Sequence, residues 1–284
     1  MTTAAAKSTL VASAIQMISS ADLDLNLKTA ERLLRQAKDK GCELAVLPEN
    51  FALMGRSEKD KLAISESEGV GPIQEFLGRM SSELSLWIVG GTIPLNDPED
   101  AGTRVRASSL VYTPTGKRIC RYDKIHLFDV SLPESKASSA ESYKESASIA
   151  PGDTPTGFTM PETTVGLSVC YDLRFPELFR LLAKNGAEIL VVPSAFTKTT
   201  GARHWEILLR ARAIENLCFV IGSNQGGLHD NGRETYGHSM IIDYWGGILA
   251  STDFGSEAVV TAKLDLDELR NARHKFPTLN HRRL

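Results

Sequence analysis

Gly41-Cys42-Glu43-Leu44-Ala45-Val46-Leu47-Pro48-Glu49-Asn50-Phe51 is echoed far along the chain by Gly186-Ala187-Glu188-Ile189-Leu190-Val191-Val192-Pro193-Ser194-Ala195-Phe196. In both stretches a glycine closes an amphipathic helix, an unbroken apolar run follows, and a proline then hands over to polar residues. Unbroken apolar runs are what parallel strands buried on both faces require. The helix before the first run, at about 25–40, puts Leu27, Ala30, Leu33, Leu34 and Ala37 on one stripe. The helix before the second, at about 176–185, starts on Pro176, a residue suited to a first turn, and presents Leu178, Leu181 and Leu182. The repeated unit predicts an α/β fold of two similar halves, each a sheet with helices on one face, packed sheet to sheet with the helices outside.

Further strands are expected at 10–17, 86–92, 108–113, 218–223, 237–243 and 258–264, and further helices at 72–84 and 204–217. No linker divides the 284 residues, and the longest polar tract, 131–148, is too short and too mixed to be a tether. One domain spanning residues 1–284 is therefore expected. A net charge of −3 gives no whole-molecule attraction to nucleic acid or to an anionic membrane. Residues 1–8 lack the charged and apolar segments of a secretion signal, and no apolar run approaches a membrane span, so a cytoplasmic protein is expected. Cys42, Cys120, Cys170 and Cys218 form no C-x-x-C pair, and the six histidines do not pair at ligand spacings. Neither a disulfide framework nor a metal site is expected, and Cys42, Cys120 and Cys218 read as core thiols.

Cys170 reads differently. It ends the apolar run Val165 to Val169 and is followed at once by Tyr171-Asp172-Leu173-Arg174-Phe175-Pro176-Glu177, a helix start. A thiol there meets backbone N–H groups able to favour thiolate and to stabilise an oxyanion. Two more strand ends carry chemistry. Glu49 follows the proline that ends the first echoed run, and in an open α/β sheet that edge is where active sites gather. Lys124 lies in Arg121-Tyr122-Asp123-Lys124-Ile125-His126-Leu127-Phe128-Asp129, after a short strand at 117–120, where charged and bulky apolar residues alternate. Singly, these are a capping acid, a surface lysine and a core cysteine; it is the joint pattern that matters.

Glu, Lys and Cys at strand ends, in that chain order, resemble the catalytic set of the nitrilase superfamily of carbon–nitrogen hydrolases. The resemblance runs from Ala12-Ser13-Ala14-Ile15-Gln16-Met17 to His281-Arg282-Arg283, and Tyr143-Lys144-Glu145-Ser146 looks like the segment that brings in a second glutamate, here Glu145. It implies a four-layer αββα sandwich, a hydrolase without cofactor or metal, and a homodimer or higher homo-oligomer. Pro193 to Thr197, Thr200-Gly201, His204-Trp205-Glu206, Leu209 to Glu215, Tyr236 to Met240 and Trp245-Gly246 look most like the branch that hydrolyses deaminated glutathione to 2-oxoglutarate and cysteinylglycine. The neighbouring ω-amidase branch, acting on 2-oxoglutaramate, is the rival. A binding protein that keeps the fold without the chemistry is the alternative of another class, against which the intact Glu49, Lys124 and Cys170 stand.

Amide hydrolysis by a thiol needs a thiolate, a base to make it, a cation or N–H pair for the oxyanion, and an acid for the leaving amine. The expected assignment makes Glu49 the base, Cys170 the nucleophile that forms a thioester, Lys124 with the backbone N–H of Tyr171 the oxyanion stabilisers, and Glu145 the residue that orients Lys124 or handles a proton. Carboxylate and thiol differ by about four pKa units, so burial of Glu49 and the Lys124 charge are expected to narrow that gap. Arg174 and Lys198 are candidates to pair with a substrate carboxylate. Phe196, Thr197 and Thr199 are candidate walls of the acyl pocket, and the tract 132–149 is a candidate lid. His126 is expected to pack or hydrogen-bond, and His204 to lie on a solvated or interface face.

Overall fold

The structure, a computed structural model, describes residues 8–57, 59–97, 99–100, 102–132 and 141–283. The first half runs β1 (Thr9–Gln16), α1 (Leu23–Asp39), β2 (Leu44–Val46), α2 (Asp60–Ala63), α3 (Pro72–Leu84), β3 (Trp87–Val89), β4 (Ile93–Asn96), β5 (Val105–Tyr112) and β6 (Arg118–Asp123). A two-stranded ribbon, β7 (Asp129–Leu132) and β8 (Glu141–Lys144), leads to β9 (Gly157–Thr159) and β10 (Thr164–Leu167). Then come α4 (Pro176–Lys184), β11 (Ile189–Ser194), α5 (Lys198–Asn216), β12 (Phe219–Asn224), β13 (Gly226–Leu228), β14 (Glu234–Tyr236), β15 (Met240–Ile242), β16 (Ile248–Ser251), β17 (Ala258–Asp265) and α6 (Leu266–Lys275).

The echo is structural. One sheet has the order β17-β1-β2-β3-β5-β4, with β6 also on β5, and the other has β16-β15-β12-β11-β10-β9. In the first, β1, β2 and β3 are parallel, with α1 and α3 as their crossovers. In the second, β10, β11 and β12 are parallel, with α4 and α5 as theirs. The two echoed runs, β2 and β11, are the middle strands of the two parallel triplets.

Alternation along the strands sorts the layers. Leu10, Ala12 and Ala14 of β1 and Leu44 and Val46 of β2 share a buried cluster with Val165, Leu167, Val191, Val220 and Ile241 of the other sheet. Ile15 of β1 and Ala45 of β2 instead pack with Leu33, Leu34, Phe76, Leu77 and Met80 of α1 and α3. On the far side, Phe179, Leu182, Trp205 and Leu209 of α4 and α5 cover the second sheet. These are four layers, helices–sheet–sheet–helices. Ser223 of β12 ties the sheets together by donating to the carbonyls of Ile15 and of Val46, the latter at 2.9 Å.

Local signals account for the element ends. Asp22 caps α1 by accepting from Leu25 N at 3.0 Å, and Thr197 caps α5 by accepting from Thr200 N. That cap starts α5 at Lys198, earlier than the expected 204. The expected strand 86–92 stops at Val89, and 237–243 shortens to Met240–Ile242. Cys42 and Cys218 are buried, but Cys120 is only half-buried, because β6 lies off the sheet's main path, paired with β5 alone.

Candidate active site

Each of the three candidate residues is placed by the strand before it. Glu49 follows β2 on a turn where Asn50 has φ +58°, the Glu49 carbonyl accepts from Gln225 Nε2 at 3.0 Å, and Asn50 N donates to Thr92 Oγ1 at 2.9 Å. Gly91, at φ +52°, lets the exit of β3 lie against this turn; a Cβ there would meet the Pro48 carbonyl oxygen at 2.0 Å. Lys124 follows β6, which runs longer than expected, and its backbone N–H donates to Ala107 O at 3.0 Å. Cys170 follows β10 and opens a 3₁₀ turn, Cys170–Arg174. Its φ is +49°, a left-handed conformation rare for a residue with a Cβ.

Asp172 braces that strained turn. It is fully buried; its Oδ2 accepts from Val169 N at 2.8 Å and from the Tyr122 hydroxyl at 2.6 Å. Its Oδ1 accepts from His126 N at 3.0 Å and lies 2.7 Å from His126 Nδ1. His126 also stacks on Phe175 at 3.7 Å between ring centroids, which is the packing and hydrogen-bonding role expected of it. The alternation read from 121–129 thus has a physical content: Tyr122 and His126 hold the turn of Cys170 while Lys124, between them, points into the site.

The side chains converge. Lys124 Nζ lies 2.8 Å from Glu49 Oε1 and 2.9 Å from each oxygen of Glu145. Glu145 is held in turn by Phe128 N, which donates to its Oε2 at 2.7 Å. Three donors of one ammonium therefore meet three carboxylate oxygens. Cys170 faces Glu49 and the backbone N–H of Ala195, which act on its thiol in opposite directions. Exposure is 1% for Lys124, 4% for Glu49 and 8% for Cys170, so the cluster is nearly removed from water.

That environment sets the charges. Burial favours a neutral Glu49, but the Lys124 charge and hydrogen bond outweigh it and leave the carboxyl below its ordinary value. Burial opposes charge on Lys124 too, and the carboxylates of Glu145 and Glu49 more than restore it, well above the usual lysine range. Cys170 is pushed far up, first by burial and then by the Glu49 charge, with Lys124 acting against both. The gap between base and thiol is therefore wider than in water, not narrower as the sequence suggested. The resting site is an ionised Glu49, an ammonium and a neutral thiol.

Cys170, Glu49, Lys124 and Glu145 line a pocket that opens to solvent and holds about 510 Å³ of empty space, with Tyr171, Arg174, Phe196 and Thr197 among its walls. Thr200 lines it and Thr199 does not. Once Thr197 caps α5, the step of roughly 100° per residue carries Thr199 off the face that Thr200 presents inward. Arg174 lies over the rings of Tyr171 and Phe196, at 5.6 and 5.3 Å, and within 3.1 Å of His204 Nδ1. His204 thus supports Arg174, and burial and the Arg174 charge lower its pKa. Lys198 points elsewhere: it pairs with Glu234 at 3.0 Å and covers the ring of Phe254. Residues 133–140 of the candidate lid lie outside the described residues, whereas Tyr143 and Lys144 from its end reach the cavity.

Sequence reasoning missed Asn50, Lys61, Phe128 and Arg233, which also line the cavity. Phe128 and Asn50 adjoin the motifs and were within reach; Arg233 and Lys61 come from distant loops with no local signal. Among the described residues no cluster of three or more His, Cys, Asp or Glu stands ready to hold a metal, and no helix is long and apolar enough to cross a membrane.

This arrangement defines a class. Residues 10–274 match the carbon-nitrogen hydrolase family, and the chain belongs to it; it is a hydrolase acting on amide carbon–nitrogen bonds. At finer grain, it is 41% identical over 275 residues to a deaminated glutathione amidase of Synechocystis sp. (strain PCC 6803), covering 96% of this chain and 97% of that one. It is 38% identical to the deaminated glutathione amidase of Homo sapiens, over 94% of this chain and 80% of that one. The crystal structure of the C. elegans NitFhit protein superposes with a TM-score of 0.88 at 33% identity, over 98% of this chain and 66% of that one.

Proposed function

We propose that the protein hydrolyses deaminated glutathione to 2-oxoglutarate and cysteinylglycine through a thioester on Cys170. The observation that carries the chemistry is the shared ammonium: Lys124 bridges Glu49 and Glu145 in the cavity that Cys170 also lines. The substrate is carried by the two deaminated glutathione amidases, alike over nearly the whole chain.

In this reading Cys170 Sγ attacks the amide carbon while Glu49 takes the thiol proton, in one step rather than through a free thiolate. The wide pKa gap requires that coupling. Negative charge leaves Glu49 as it appears on the substrate oxygen. Once protonated, Glu49 accepts more weakly from Lys124, and one N–H of the ammonium turns to the oxyanion at the moment it forms. The backbone N–H of Tyr171, next after the nucleophile, supplies the second donor. The carbon–nitrogen bond then breaks, Glu49 returns its proton to the departing amine, and a thioester remains. Water attacks the thioester, Glu49 takes a proton from it, the carbon–sulfur bond breaks, and Glu49 reprotonates the thiol. Glu145 keeps Lys124 charged and aimed and acts as a positioning residue, while Arg174 pairs with the carboxylate of the 2-oxo acid portion.

A homo-oligomer is part of the proposal, supported by the apolar side chains of Leu181 on α4, Ile207 and Ile214 on α5, and Trp245, which stand exposed. A reducing cytoplasmic setting is supported by four unpaired thiols. Steady-state hydrolysis of deaminated glutathione beside 2-oxoglutaramate tests the substrate. Preference for the tripeptide supports the proposal, preference for the small amide moves the protein to ω-amidase activity, and turnover of neither leaves a binding role.

A further inference from the structure

The catalytic cavity does not end at its mouth. Asn50, Lys61, Tyr143 and Arg233 line both it and an outer cleft of about 1020 Å³. The outer cleft adds Arg56 and contains no Asp or Glu among the described residues that line it. Asp60, next to Lys61, accepts from Arg56 N, Ser57 N and Ser57 Oγ and borders a different cleft. Among the described residues, the charged side chains along the route out are therefore cationic: Arg56, Lys61 and Arg233.

Arg233 lines the inner cavity, and its charge acts on Glu49. Its Nη2 donates to Ala195 O at 2.6 Å, and Ala195 lines the inner cavity together with Cys170. The guanidinium lies over the Tyr143 ring at 5.2 Å, and its Nε is buried with no partner. A fixed guanidinium with unused donors suits a carboxylate. Arg174 lines only the inner cavity, so the two arginines divide between its interior and its exit.

We infer that Arg233, with Lys61 on the same shared wall, receives the terminal carboxylate of a peptidic leaving group in the outer cleft, and thereby makes the site favour peptide amides over amides that release ammonia. This rests on the function proposed above and adds the leaving-group half of the recognition. A substrate with a carboxylate at each end and the scissile amide between them spans Arg174, Cys170 and Arg233 in order. 2-Oxoglutaramate has no group to place in the outer cleft.

The test compares kcat/KM for deaminated glutathione with that for its C-terminal carboxamide, which keeps the acyl end and removes only the outer charge. The wild-type protein is expected to prefer the free acid by roughly tenfold to a hundredfold. Arg233→Gln is expected to bring the ratio close to one, mainly through KM, while Arg233→Lys keeps part of it and Lys61→Gln lowers it by a smaller factor. Arg174→Gln, in contrast, is expected to weaken both substrates alike and keep the ratio. Because Arg233 also bonds Ala195 O, thermal unfolding accompanies the kinetics, and the Lys61 variant carries the test if Arg233→Gln does not fold. A ratio near one in the wild type, or one unaffected by either Arg233→Gln or Lys61→Gln, overturns the inference while leaving the proposed function intact. Hydrolysis of neither compound by the wild type overturns the proposed function itself.

Discussion

Lys124 Nζ lies 2.8 Å from Glu49 Oε1 in a site where neither side chain is more than 5% exposed. A buried pair of this kind owes its presence to function or specificity more readily than to net stability, since desolvation offsets most of its attraction. Breaking it is another matter, because the partner left behind is a buried charge.

Lys124→Met leaves Glu49 and Glu145 facing each other without a cation. We expect a loss of about 3–5 kcal/mol in unfolding free energy and a fall in kcat of at least about 10²–10³. Denaturant unfolding and steady-state kinetics on the same preparation measure both. Near-wild-type turnover would remove Lys124 from the mechanism.

Glu49→Gln separates the reactivity of the thiol from catalysis. The Glu49 charge is one of the causes that keep the Cys170 thiol protonated. Its removal should speed alkylation by iodoacetamide at neutral pH while lowering amide turnover by on the order of 10²–10⁴. The two rates moving in opposite directions is the expected result. Slow alkylation of the wild-type protein at neutral pH is the expected companion result.

Stability should respond to pH on the acid side. Glu49 is depressed below 4.5 in the folded protein, so its contribution is fully present above 4.5 and is lost as pH falls through the lower folded value. Lys124 is raised well above 10.5, so its contribution is complete below 10.5 and disappears only as pH rises through that higher folded value. Thermal unfolding of the wild type and of Glu49→Gln, followed from neutral pH into the carboxylate range, should converge as the acid limb is descended.

Cys170 stores strain. Its left-handed backbone costs a residue with a Cβ about 1–2 kcal/mol, so Cys170→Gly should be more stable than Cys170→Ala by about 1 kcal/mol, both being inactive. Equal unfolding midpoints would mean that the turn is not strained.

What the sequence made legible follows from how local each signal is. The helix at Pro72–Leu84 and the echoed strands are written in contiguous residues, as glycine closures, proline starts and unbroken apolar runs. Glu49 and Cys170 were visible because each follows such a run, Lys124 because it sits in an alternation of charged and bulky apolar residues after a short strand, and Glu145 only through its resemblance to a known segment. Thr199 was chosen where Thr200 lines the cavity, because the helix was expected only from 204 and the start at Lys198 sets which threonine faces inward. Arg233 sits after Asn231-Gly232 between β13 and β14, where a lone arginine carries no pattern; only the packing of that ribbon against Ala195 reveals it. The direction of the Cys170 shift was hidden as well, since it depends on how completely the fold buries the site.

The most direct test of the central claim is acid quenching during steady-state hydrolysis of deaminated glutathione, followed by peptide mass spectrometry. A 2-oxoglutaryl adduct on the Cys170 peptide, absent from Cys170→Ala together with all turnover, is the predicted result. Turnover that survives Cys170→Ala, or an adduct on another residue, would contradict it.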